Sequence, residues 1–95
     1  MTKEKQNIEW KETWRDEYFK WICGFANAHG GTLFIGKDDE GNVKHLSNAC
    51  KLLEDLPNKV RDLLGLMVDI NLHTENKADF LEIVIEPYPF PISLR

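Results

Sequence analysis

Two adjacent aspartates, Asp38 and Asp39, follow an apolar run and precede a glycine in the stretch FANAHGGTLFIGKDDEG, residues 25–41. Carboxylates placed where a strand comes to the surface can serve two ends. An aspartate caps its own backbone and a following glycine supplies positive φ, so D-D-x-G is ordinary turn chemistry. Carboxylates that converge also bind hard cations such as Mg2+ or Mn2+, which take several oxygen ligands, activate water and neutralise charge on a phosphodiester. Taken alone, the spacing favours the turn. Upstream, Ile8 and Trp10 alternate with Glu9 and Lys11, and a period of two sets the carboxylate and the ammonium on one strand face.

Other residue types carry weaker signals. His29, His45 and His73 are scattered without zinc-type spacing and read as surface or structural histidines. Trp10, Trp14 and Trp21 can stack on bases, but at strand and helix positions they more often fill a core or a subunit interface. Gly30-Gly31 lacks the lysine–serine pattern of a phosphate-cradling loop and serves better as a helix stop. No nucleophile with a paired base is visible.

The elements that must position these groups can be read from periodicity. Residues 7–12 form a first strand. Thr13 followed by Asp16 resembles a helix N-cap signal, and Tyr18, Ile22, Phe25 and Ala26 recur at helical spacing, predicting a helix over about 14–28 that stops at the double glycine. Thr32 to Gly36 is apolar on both faces and suits a central strand covered on both sides. The turn Asp39-Glu40-Gly41-Asn42 then leads into a short returning strand, Val43 to Leu46, giving a hairpin. Leu52, Leu53, Leu56, Val60, Leu63 and Leu64 resume helical spacing. Pro57 is expected to split them into two helices, the second closed by Gly65. Val68, Ile70 and Leu72, then Leu81, Ile83 and Ile85 across the polar turn ENKAD, predict two antiparallel strands, after which Pro87, Pro89 and Pro91 end regular pairing. The order β-α-β-β-α-α-β-β indicates an α+β domain with a mixed, mostly antiparallel sheet and helices packed against it.

Bulk properties narrow the classes. Ninety-five residues allow one small domain with one core. The balance of 42% apolar and 29% charged residues is that of a folded domain. Apolar runs fall far short of a membrane span and the N-terminus has no signal-peptide core, so a cytoplasmic protein is expected. Cys23 and Cys50, distant from each other and in apolar contexts, predict buried, reduced thiols. A net charge of −4 argues against a general positive field for polyanions, and the first twenty residues carry five basic and five acidic side chains. A nucleic-acid partner therefore needs a local site.

Glu4, then IEWK at 8–11, then FANAHGGTLFIGKDDEG at 25–41 resemble the Schlafen AlbA_2 domain, also described as the divergent AAA-4 or DNA-binding domain of bacterial transcriptional regulators. The family pattern has a glutamate, a second glutamate five residues on with an aromatic and a lysine after it, F-A-N-x-x-G-G, an apolar strand and G-x-D-D-x-G. The likeness extends more loosely over nearly the whole chain. Lys37 stands where members usually carry an apolar residue and His45 where a glycine commonly follows the hairpin. The usual tyrosine-x-arginine-x-glycine continuation is absent, so the resemblance implies a single domain over 1–95, shortened at its C-terminal end, with downstream domains missing.

The resemblance implies a nucleic-acid-binding (DNA or RNA) domain of a transcriptional regulator, with Lys11, Lys37 and Lys44 as candidate phosphate contacts and no membrane partner. It implies a first alternative, a metal-dependent endoribonuclease in which Glu4, Glu9 and Asp39 hold Mg2+ or Mn2+ and Lys11 balances phosphate charge. The second alternative is a protein-interaction or dimerisation module. Homodimerisation is expected from exposed tryptophans and an unfinished C-terminal edge.

Overall fold

Alternation between polar and apolar residues sets one face of each strand against helices, and the chain follows that plan. A computed structural model describes residues 7–88. Strands β1 (Asn7–Lys11), β2 (Gly31–Ile35), β3 (Asp69–Glu75) and β4 (Ala78–Ile85) form one sheet in the order β1-β2-β4-β3. β1 and β2 are parallel, as a strand–helix–strand crossover requires, and the β2–β4 and β3–β4 pairs are antiparallel. Helix α1 (Phe19–Asn27) joins β1 to β2, and α2 (Ala49–Leu64) joins β2 to β3. The expected mixed, mostly antiparallel α+β sheet is therefore present.

The core is one layer between sheet and helices. Leu33, Ile35, Leu81, Ile83 and Ile85 share one sheet face by register and pack with Ile22, Phe25 and Ala26 of α1 and Leu52, Leu56, Val60 and Leu64 of α2. Each such large side chain contributes roughly 1.5–3 kcal/mol by leaving water. The opposite face bears Thr32, Phe34, Phe80 and Glu82, of which only Thr32 and Phe80 are buried. β2 is central in the pairing, as expected, but helices cover it on one side, not two. Period-2 reading detects apolar residues on both faces without saying what covers them.

Several boundaries differ from expectation. The helix expected over 14–28 begins instead as a 3-10 turn (Asp16–Tyr18) followed by α1, and the first turn is entered from Arg15 with no side-chain cap, so Thr13 does not cap it. Trp14 donates its indole N–H to Asp16 Oδ1 at 2.8 Å and packs edge-on against Tyr18 and Phe19, which ties down this entry. α1 ends where the double glycine requires: Gly30 takes φ +83° and its N–H reaches the Phe25 carbonyl at 2.8 Å. Residues 43–46 form no strand; a single bridge, Lys37 to Val43, is all that remains of the expected hairpin. The observed order is therefore β-α-β-α-β-β.

Pro57 does not split α2. Leu52, Leu56, Val60 and Leu64 lie at successive i,i+4 positions and are all buried, so a break at Pro57 would expose half of that stripe. The helix instead tolerates the bond that Pro57 cannot donate to the Leu53 carbonyl. Pro57→Ala is expected to raise stability by about 1–3 kcal/mol, read as a higher denaturant midpoint; a lower midpoint would show that the ring is needed for packing. Gly65 closes the helix at φ +71°, as expected.

The two cysteines form no disulfide, but the burial expected of them is not found: Cys23 is half-buried and Cys50 exposed, because both sit beside the buried stripe of their helix and not on it. All three tryptophans are half-buried, so the exposed tryptophans expected to drive dimerisation are not found. The β3–β4 turn places Asn76 and Lys77 at φ +53° and +67°, the double left-handed geometry of a two-residue hairpin. Beyond Ile85, Pro87 lies outside the sheet, and the Tyr88 N–H donates to the Ala26 carbonyl at 2.8 Å. Pro89, Pro91 and the rest of the tail lie outside the described residues. Among the described residues, no helix is long and apolar enough to cross a membrane.

Candidate functional site

The ends of β1 and β2 meet the acidic turn through backbone hydrogen bonds. The Lys11 carbonyl accepts N–H bonds from Gly36 at 2.7 Å and Lys37 at 3.1 Å, and the Lys44 N–H donates to the Gly36 carbonyl at 2.6 Å. One sheet end therefore gathers the backbones of Lys11, Lys37 and Lys44 beside residues 38–42. Gly36 makes this possible: at φ +106°, with Phe80 2.9 Å from where a Cβ would stand, no other residue fits.

The side chains then diverge. Glu9 and Lys11 do share a face, the one toward the helices, and their charged groups pair at 3.5 Å. The Lys11 ammonium also stands 5.1 Å from the Tyr18 ring centroid and 5.5 Å from that of Trp21. Because β1 is an edge strand, both side chains stay partly open, 31% for Glu9 and 26% for Lys11. Lys37 goes to the other face. After Gly36 breaks the alternation, its ammonium lies 4.5 Å from the ring centroids of Phe34 and Phe80, with no ion-pair partner among the described residues. Lys44 is exposed, and its ammonium is 4.0 Å from Asp38 Oδ2.

The two aspartates divide their labour. Asp38 Oδ1 accepts the N–H groups of Glu40 and Asn42, each at 2.9 Å, and Gly41 completes the turn at φ +84°. The Asn42 N–H above all, then that of Glu40, holds the Asp38 carboxyl below its ordinary 3.8, outweighing the opposing effect of desolvation; Lys44 adds a smaller pull in the same direction. A depressed carboxyl stabilises the fold above its unfolded value and loses that contribution as pH falls through the folded one. The turn should therefore hold down to about pH 4 and loosen below it, seen as amide shifts of Glu40 and Asn42 titrating together beneath 3.8; amides flat to pH 2 would contradict it. Asp39 takes no part in this turn. It is exposed and has no hydrogen bond or ion pair among the described residues.

Of the acids proposed as metal ligands, Glu4 lies outside the described residues. Among the described residues, no group of three or more histidines, cysteines or acids could hold a metal ion. Two of the three histidines have structural partners and the third, His29, is exposed: His45 Nδ1 accepts the Asp79 N–H at 3.2 Å, and His73 Nε2 lies 2.9 Å from Glu82 Oε1. Two clefts flank the site. One of about 460 Å3 lies between the turns, lined by Gly41, Asn42, Val43, Glu75, Asn76 and Ala78. Another of about 480 Å3 lies beside the β1 edge, lined by Asn7, Lys20, Trp21, Gly24 and Phe25.

Sequence reasoning missed the ring cluster around Lys37. The signals were Phe34 in the apolar strand and Phe80 directly after the ENKAD turn, which only the β2–β4 pairing brings together.

A family model described as "Schlafen, AlbA_2" matches residues 4–92. The fold is similar to part of the DIP2311 protein of Corynebacterium diphtheriae, with TM-score 0.75 and 20% identity over 96% of this chain and 20% of that one. It is also similar to the N-terminal domain of a RecG-related protein of Nitrosomonas europaea, named for an ATP-dependent DNA helicase, with TM-score 0.80 and 21% identity over 99% of this chain and 73% of that one. The chain thus spans a fifth of the first protein's length. No curated protein matches it.

Proposed function

Because the chain belongs to the Schlafen AlbA_2 family, we propose that it is a nucleic-acid-binding domain of a bacterial transcriptional regulator, with Lys11, Lys37 and Lys44 contacting phosphates. The observation that carries this reading is the set of backbone bonds joining Lys11, Gly36, Lys37 and Lys44 at one sheet end. A chain of net charge −4 has no general attraction for polyanions, so cations must be concentrated locally. Likeness to a domain of a protein named for a DNA helicase supports the same direction.

A second reading, a metal-dependent endoribonuclease, is favoured by Asp39. Turn formation accounts for Asp38 and leaves Asp39 without a structural task. Glu9 and Asp39 offer the oxygen donors that Mg2+ or Mn2+ takes, and Glu4 is the third acid of the set. A bound metal would activate water, while Lys11 balances charge on the phosphodiester. A labelled hairpin RNA and a duplex DNA, each incubated with Mn2+ or with chelator, separate the readings on one gel. The binding reading expects retained, intact substrate in both lanes. Cutting with Mn2+ that stops with chelator and in Glu9→Ala establishes the nuclease instead, and the absence of both retention and cutting at low salt overturns both readings.

A further inference from the structure

The helices cover one face of the sheet, and the other carries a line of rings. By register, Trp10 of β1 stands opposite Phe34 of β2, and Phe80 of β4 opposite His73 of β3. Phe34 and Phe80 lie 6.2 Å apart by centroid, and His73 stacks on Phe80 at 5.1 Å and 23°. Trp10 lies beside the acidic turn, where a Cβ built on Gly41 would stand in ordinary contact with its indole at 3.5 Å. Phe80 forms the floor at 7% exposure, whereas Trp10 and Phe34 remain half-buried and the His73 side chain is 44% exposed. Ile8, 50% exposed, continues the same face.

We propose that this open face is a stacking platform for an unpaired stretch of nucleic acid, with bases on Trp10, Phe34 and His73 and a phosphate on Lys37. The proposal rests on the nucleic-acid-binding reading above and names its substrate class and surface. Rings set across neighbouring strands are separated by one to three strand spacings of about 4.8 Å, which accommodates two or three bases. Paired bases stack on each other and hide their faces; unpaired ones present them. Charge fits at the same place. The Lys37 ammonium is already held between two rings with no carboxylate partner among the described residues, so it meets a phosphate without first breaking an ion pair. Lys11 and Lys44, by contrast, lie beside Glu9 and Asp38. By register the carboxylates of Asp69, Glu75 and Glu82 share this face, and Glu82, the nearest in register to the rings, is engaged by His73 at 2.9 Å.

The test is fluorescence anisotropy of labelled oligouridine and oligothymidine against a hairpin duplex of the same length, using the full chain. Phe34→Leu and Trp10→Leu keep an apolar side chain while removing the ring, and Lys51→Ala on the exposed side of α2 is the control. Unpaired ligands should bind about tenfold tighter than the duplex. Each leucine variant should weaken them about tenfold while keeping a wild-type circular-dichroism spectrum, and the control should match wild type. Undiminished binding in both leucine variants, or a preference for the duplex, overturns the platform while leaving nucleic-acid binding standing. No salt-sensitive binding to any of the ligands removes the broader reading and the platform with it. Self-association lost in Phe34→Leu without any oligonucleotide binding would make the face an interface between copies and overturn the proposal.

Discussion

Gly30→Ala is expected to destabilise the domain by about 2–5 kcal/mol, a large share of the 5–15 kcal/mol that a domain of this kind typically has. Gly30 sits at φ +83°, and a Cβ there would come within 2.7 Å of the Ile85 carbonyl oxygen and 2.9 Å of the Pro87 ring. The left-handed backbone costs a non-glycine residue about 1–2 kcal/mol and overpacking a further 1–3 kcal/mol. The clash is with backbone, which cannot rotate away. Ile85 belongs to the core layer and Pro87 precedes the Tyr88 bond to Ala26, so a shift there would loosen the joint between α1 and β4. Gly31 is constrained by space alone, with the Asn7 carbonyl 2.7 Å and the Phe25 ring 2.8 Å from a Cβ position. The double glycine of the family motif is thus a packing device that lets a helix end directly against the first parallel pair. Thermal unfolding should show a loss of about 10 °C or more; a change within 2 °C would contradict it.

Removing Lys37 should cost more nucleic-acid affinity than removing Lys11 or Lys44. A lysine that already faces a carboxylate gains less from a phosphate, because part of its attraction is spent on the partner it must leave. Lys11 lies 3.5 Å from Glu9 and Lys44 lies 4.0 Å from Asp38, whereas Lys37 faces only rings among the described residues. Lys37→Ala is therefore expected to weaken binding about tenfold at low salt, and Lys11→Ala and Lys44→Ala about two- to threefold each. Equal losses would show that the ion pairs open without cost on binding. Lys44→Ala showing the largest loss would move the interface to the turn.

What could be read in the sequence follows a physical division. Local periodicity and turn chemistry located all four strands, because alternation, the double glycine and the ENKAD turn are set by neighbouring residues. Pro57 misled because an intrinsic helix break is local, whereas the buried stripe that overrides it is tertiary. The strand expected at 43–46 failed for a similar reason: after one bridge at Val43, the Leu46 N–H turns to the Asp79 carbonyl, and Leu46 itself is buried in the core. At the site, the shared face of Glu9 and Lys11 was legible from a period of two. The separation of Lys37 from Lys11 was not, since it depends on the reversed backbone at Gly36. Nor was the split between Asp38 and Asp39, because D-D-x-G does not say which carboxylate the turn consumes.

The central claim, that this domain holds nucleic acid through a few localised cations in spite of its net charge of −4, is tested most directly by the salt dependence of binding. Three phosphate contacts predict a log–log slope of about −2 for a single strand, so affinity should fall roughly twentyfold between 50 and 200 mM salt. That slope should become shallower in Lys37→Ala. A slope near zero, or binding to none of the oligonucleotides at low salt, would contradict the account.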